Sequence, residues 1–506
     1  MGSKRQKPGL KRIFARALSI TSTLSKIFLV TFCGSAAVRA QESLTNDFKL
    51  HLGPIFDEFP QTLLKGSRRE ALGPIVGYEE TGSASLFRFS PLFSIYRDPA
   101  LEQTEVEIAY PIISFDQFGK EYRFQLFQLI AWSGGESVKG GDTKRTTIFP
   151  FYIRQSSPRP EDNYTAVIPF YGRLKNRFFR DEISFVMLPL FVETTKRGMV
   201  TRNFFFPFFH VRHGAGVKGW QFWPLYGTEH KEVTTATNHW GDAVVSPGYD
   251  KRFVLWPFYF NNTLGSGPTQ QKQFVMIPFY TSQVSSNRVT RSYGFPIGFT
   301  HTIDRDAKYE EWDAPWPLVE FAKGEGKQVR RVWPLFSQAK TPTLQNDFYA
   351  WPLYKYNRIT AEPLDRERTR ILLFLYSDTI ERNTTNNTSF QRRDLWPLFT
   401  WRKDHNNNTR LQILSLLEPL IPGNKSIERL YSPVYSLYRE EHNARTGDES
   451  KSFLWNLYRS ERVGEVRRQR ALFGLFQREK QADRTKWRLF FIPFSTGKKA
   501  PEVVEN

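Results

Sequence analysis

Residues 203–230 read NFFFPFFHVRHGAGVKGWQFWPLYGTEH, and this stretch decides the fold. It holds two copies of one signature, an apolar or aromatic residue, then Pro, then Leu or Phe, then Tyr or Phe. The copies are joined by Gly214-Ala215-Gly216-Val217-Lys218-Gly219, a connector whose glycines mark a turn. A proline in every unit disfavours helix, and the aromatic and β-branched flanks favour strand. The reading is therefore a strand of about 10–12 residues centred on the proline, then a turn, then an antiparallel partner.

The same signature recurs along the chain. Its clear copies centre on Pro150, Pro169, Pro189, Pro207, Trp223-Pro224, Trp256-Pro257, Pro278, Trp333-Pro334, Trp351-Pro352 and Trp396-Pro397, mostly 17 to 21 residues apart. Degenerate copies around Pro91 and Pro111 before it and Asn456, Gly474 and Pro493 after it extend the array at both ends, and one around Pro317 lies inside it. A fixed short period is the mark of a repeat architecture. The fold class expected is all-β, an antiparallel meander of about 20 strands built from ~20-residue repeats. Four segments follow: 1–40 a leader, 41–89 a stretch of weak repeat character, 90–495 the β-repeat array, and 496–506 a polar tail.

Alternation along the expected strands leaves both faces partly apolar, with Val332, Pro334 and Phe336 on one side and Trp333 and Leu335 on the other. About 20 antiparallel strands cannot stay open without exposing long edges, and closure into a large outer-membrane-type β-barrel is the simplest remedy. A strand of about 11 residues tilted by ~40° spans a bilayer core. Proline in mid-strand opposes this, because it has no N–H for the ladder and leaves a carbonyl unsatisfied in hydrocarbon. Each proline is therefore expected at a bulge or strand end. Asn456 and Gly474, in the proline slot of their copies, fit a backbone irregularity of that kind.

The leader carries Lys4, Arg5, Lys7, Lys11, Arg12, Arg16 and Lys26, an apolar stretch from Ile27 to Val38, and Val38-Arg39-Ala40 before Gln41. This is the pattern of a cleavable export signal, and the apolar run is short for a spanning helix. Cys33, the one cysteine, lies inside it, so the mature chain would have none. The first 40 residues hold eight Lys and Arg and no acid. The remaining 63 basic and 51 acidic side chains leave a net charge of +12. An exported, moderately basic chain suits membrane lipid or lipopolysaccharide better than nucleic acid, and no protein partner is indicated.

No chemistry-bearing constellation stands out. His210 and His213 point to opposite faces of a strand and make a poor chelate. Glu79-Glu80 and Glu310-Glu311 read as solvated turns, and 134–141 is a glycine-rich loop without the ending of a phosphate loop. No catalytic, cofactor-binding or metal-ligating residue is assigned, and no cofactor is expected. Basic residues follow the signature often: Arg154, Arg173, Arg212, Arg402, Arg439, Arg459 and Arg478. They are the candidates for a ring of cations at one rim that contacts anionic headgroups. The function expected is non-enzymatic: an outer-membrane barrel with a structural, channel or lipid or solute-conduit role. The alternative is a soluble exported β-repeat scaffold, periplasmic or on the cell surface, that binds glycans, anionic lipid or protein partners.

Overall fold

The computed structural model describes residues 51–136, 141–237, 241–267, 270–482 and 484–496. The expected leader and nearly all of the polar tail lie outside the described residues. The chain is all-β, with 45 strands of four to eight residues, 43 of them in one antiparallel sheet. Each strand pairs with its neighbours in sequence. One excursion breaks the rule: β20 (Thr234–Thr237) and β21 (Ala243–Ser246) pair with each other, and β19 (Tyr226–Lys231) pairs directly with β22 (Tyr249–Val254).

The strand count is about twice the expected one because the prolines of the ten clear copies are not in strands. Around Pro224, β18 (Val217–Phe222) ends, Trp223-Pro224-Leu225 forms a three-residue turn, and β19 begins, with Phe222 opposite Tyr226. The same geometry places Ile148 opposite Tyr152 and Leu395 opposite Phe399. Each repeat is thus a hairpin of two short strands, one turn carrying the proline and the other the polar or glycine-rich connector. Periodicity could not reveal this, since apolar residues flank the proline on both sides and the alternation runs through the turn without a break.

No ladder joins β1 (Phe56–Pro60) to β45 (Ile492–Thr496) among the described residues, so the sheet is not closed as a hydrogen-bonded barrel. Its first strands instead contact its last through side chains. Thr62 Oγ1 donates to Ser450 Oγ at 2.7 Å, Arg470 reaches Asp57 at 3.1 Å, and Arg459 lies 3.3 Å from the centre of the Phe59 ring. A segment between β38 (Thr409–Ile413) and β39 (Tyr438–His442) carries the helices Lys425–Leu430 and Ser432–Tyr435. It packs on β6 (Gln103–Ile108) through Arg429 to Glu105 at 2.8 Å.

Burial follows one register row, the residues that lie second in from the proline turns on one face. Between β11 (Tyr152–Ser156) and β15 (Phe191–Lys196) the row is Ile153, Ala166, Gly172, Phe185 and Val192, part of the apolar core with Tyr164 and Leu174. Gly172 is required there, since a Cβ would lie 2.4 Å from the Phe185 ring and 2.6 Å from the Ala166 methyl. Phe185→Ala should therefore cost about 3–5 kcal/mol and Gly172→Ala about 1–3 kcal/mol through overpacking. Denaturant midpoints measured beside an exposed control such as Phe179→Ala check both, and a midpoint no lower than the control's would contradict this core.

Candidate functional site

The proline turns lie along one end of the hairpins, and their side chains face outward. Phe258 is 52% exposed, Phe279 69%, Ile297 81% and Leu335 63%. Rings of neighbouring turns touch: Phe208 and Trp223 have centroids 6.0 Å apart, Trp223 and Trp256 5.6 Å, and Trp333 and Trp351 6.2 Å. The opposite end carries polar turns, such as Asp404–Asn408 and Asn443–Asp448. The hairpins are therefore amphipathic along their length, with an apolar rim and a polar rim.

Backbone hydrogen bonding in the apolar rim runs from turn to turn. Leu255 N–H donates to Leu225 O at 2.7 Å, Trp256 N–H to Pro224 O at 2.6 Å, and Phe258 N–H to Leu255 O at 2.7 Å. Pro257 has no hydrogen to place, so every N–H of that turn is bonded. Turns 189, 207 and 352 repeat the scheme, with Phe206 donating to Pro189 O and Trp351 to Pro334 O. Proline sits at the position where the ladder asks for no donor, which removes the objection that its mid-strand placement raised.

The second concentration of chemistry is the seam where the first strands meet the last. Glu70 is fully buried and accepts from Arg88 at 2.8 Å, Arg439 at 3.0 Å and Asn456 at 2.8 Å. Burial alone would raise its carboxyl, but Arg439, Arg88 and Arg68 hold it well below the ordinary value. Glu79, against Arg68 and Arg88, and Glu461, against Arg459 and Arg470, are held down in the same way despite burial. Beside this network a cavity of about 230 Å³ is lined by Arg68, Arg88, Arg410, Lys425, Arg429 and Arg439.

The seven basic candidates lie within strands and not in the apolar turns, so they form no ring at that rim. Arg154 is exposed on β11, and Arg478 lies over the Trp487 ring at 4.9 Å. Arg173 bonds Glu182 at 2.6 Å, Arg212 bonds Glu229 at 2.5 Å, and Arg402 pairs with Glu428. Arg439 and Arg459 are drawn into the seam, on Glu70 and Glu461. The carboxylate pairs are not turns either: Glu79 and Glu80 lie on β3 (Val76–Thr81), and Glu310 and Glu311 on β28 (Tyr309–Asp313). Successive residues of a strand face opposite ways, so Glu79 is at the seam while Glu80 receives the Tyr78 hydroxyl at 2.8 Å.

Glu311, Asp313 and Glu320 bring ligand-type oxygens within 4.8 Å of one another, but Lys327 already lies 2.6 Å from Glu311 and 2.7 Å from Glu320. An ammonium holds the place a cation would take. Burial, then Glu311 and Glu320, pushes the Asp313 carboxyl up to about 7. His210, on β17 (Phe209–Gly214), is pushed down to about 4 by burial and then by Arg212, and so is neutral near pH 7. Comparison with family models finds no match, and comparison with curated proteins finds none either.

Two outcomes follow for the buried charges. Glu70→Ala leaves Arg88 and Arg439 buried without their shared partner and should cost about 3–5 kcal/mol in denaturant unfolding; a loss no larger than a surface Glu→Ala would contradict the seam. Because Asp313 titrates higher folded than unfolded, its contribution is present below about pH 4 and is lost as the pH rises towards 7. Asp313→Asn should thus raise Tm at pH 8 and lose that advantage at pH 4, which a melting series against pH checks.

Proposed function

We propose that this chain is a non-enzymatic, exported envelope scaffold that rests on a lipid surface through its apolar rim, the outer membrane being the expected place. The observation that carries the reading is the pairing of exposed rings with a bonded backbone along the rim. Hydrocarbon tolerates a backbone only where its polar groups are satisfied, and turn-to-turn hydrogen bonds such as those donated by Phe205, Phe206, Leu255, Trp256, Ala350 and Trp351 supply that along much of the rim. Trp223, Trp256, Trp333 and Trp351 suit the level where acyl chains meet headgroups.

The depth of contact follows from the strands. Spanning strands need about 9–11 residues and an apolar outer band about 25 Å tall. The longest strands here have eight residues, and their halves away from the apolar rim carry ion pairs, Arg358 to Asp365 at 3.0 Å and Arg382 to Glu367 at 2.6 Å. Such strands favour contact by the turns over a full-depth wall, so a rim-seated scaffold is a better reading than an open channel. Membrane lipid, or the lipid portion of lipopolysaccharide, is the partner that this chemistry recognises.

Flotation of the mature chain with neutral phosphatidylcholine vesicles tests this, alongside quenching of its tryptophans by brominated acyl chains. The triple variant Phe258→Ser, Phe279→Ser, Leu335→Ser removes about 1 kcal/mol per half-exposed side chain, so partition should fall roughly a hundredfold. Quenching should fall with it. Equal flotation of variant and parent, or tryptophans that the brominated lipid leaves bright, would overturn the reading.

A further inference from the structure

The cavity at the seam is a polar chamber whose cations outnumber its acids. Six basic side chains line it, and the carboxylates that join them are Glu79 and Glu428. Four of the six are engaged in the fold. Arg88 and Arg439 hold Glu70, Arg68 lies 3.1 Å from Glu79, and Arg429 bonds Glu105 while lying 5.1 Å from the centre of the Tyr96 ring. The other two differ. Arg410 has one ion pair, a long 3.7 Å approach to Glu441, and its side chain is 35% accessible. Lys425 is exposed at the start of its helix, and no carboxylate lies within ion-pair distance of it among the described residues.

These two cations come from the strand that precedes the inserted segment and from the segment itself, Arg410 from β38 and Lys425 from the helix Lys425–Leu430. Gln412 and Ser432, both buried, also line it, with the Gln412 amide donating to Glu418 at 2.7 Å and the Ser432 hydroxyl to Ile427 O at 3.4 Å, which leaves the two cations as the donors free to take a ligand. Burial pushes the Arg410 guanidinium below its ordinary value, with Arg402 and Arg68 adding to the fall and Glu441 and Glu428 opposing it. A chamber of about 230 Å³ has room for roughly seven waters at ~30 Å³ each, enough for a tetrahedral oxyanion and part of the group that it esterifies. A carboxylate offers two oxygens in a plane, whereas a phosphate offers three around a tetrahedron, which suits donors that converge from several sides.

We propose that this cavity binds a phosphate or phosphomonoester dianion, held by Arg410 and Lys425. The bound dianion touches residues of β38 and of the helix in a chamber whose far wall is Arg68 and Arg88 of β2 (Gly66–Ala71) and β4 (Ala84–Phe89). It therefore ties the first strands of the sheet to the last. Binding to the folded seam alone also stabilises the fold by mass action.

Titration calorimetry of the mature chain with inorganic phosphate and with glycerol 3-phosphate tests the site, with vesicles of phosphatidic acid in phosphatidylcholine as a separate arm. Saturable binding is expected, weakened about tenfold or more by Lys425→Gln and by Arg410→Gln, with a rise in Tm on adding phosphate that both variants lose. Lys425 is exposed, so its variant keeps the fold and the test stands if Arg410→Gln does not fold. Binding of free phosphates identifies a soluble ligand. Lys425-dependent binding confined to phosphatidic acid vesicles identifies a lipid headgroup. The rim variant Phe258→Ser, Phe279→Ser, Leu335→Ser should retain free-phosphate affinity, which separates failure of this site from failure of the lipid-seated rim. No saturable binding in any arm, or affinities that Lys425→Gln leaves within about twofold, would overturn the proposal.

Discussion

A backbone nitrogen without a hydrogen governs this architecture. Proline cannot donate to a ladder, so a chain that repeats it every twenty residues or so must place it where the ladder ends. Each proline becomes a turn, each repeat becomes a hairpin of two short strands, and the apolar residues around the proline gather at one end. The prolyl carbonyls are not wasted. Those of Pro169, Pro189, Pro224 and Pro334 accept from the residue before the next signature proline, as Pro224 O does from Trp256, and bonds of this kind link turn to turn along a rim with rings on its outside.

The second constraint is that a sheet this long must do something with its ends. Closing it by a ladder would fix strand tilt and stagger around the whole circumference. Here the first strands meet the last through side chains, and the buried layer between them is charged in place of apolar. The register row runs Asp57, Glu70, Gly77, Arg88, Ser94 and Glu107 on one side. On the other side it runs Gln412, Arg439, Ser452, Arg459 and Arg470. Buried charges are tolerated only when paired, and pairing has directional demands that an apolar contact lacks. A network of this kind specifies which strands meet more sharply than it stabilises their meeting, and it leaves a cation-lined space where the pairing is incomplete.

Two departures from the proline rule explain themselves at this seam. Asn456 stands in the proline slot with φ of 67°, and its amide donates to Glu70 while its oxygen accepts from Ser452 at 2.6 Å. A proline there would leave Glu70 one donor short. Gly474 stands in the slot of its own repeat with φ of 79°, and a Cβ would come within 1.9 Å of the His51 carbonyl oxygen. The sequence marked both places as backbone irregularities. That the start of the chain lies over them depends on contacts more than 380 residues apart, Glu70 with Asn456 among them, and no local pattern encodes such a contact.

Composition and period alone determined that the chain is all-β, antiparallel and repetitive, because a proline and an aromatic cluster in nearly every unit disfavour helix and demand an apolar surface. The same signals misjudged the strand length, since alternation does not distinguish a strand that continues through Pro334 from two strands that meet at it. Only the tertiary structure decided which end of each hairpin is apolar, that Arg439 and Arg459 are buried partners of Glu70 and Glu461 while Arg154 stays exposed, and that Arg410 and Lys425 face one cavity. The reason is that side chains with the same spacing from a signature differ in what the far end of the chain brings against them.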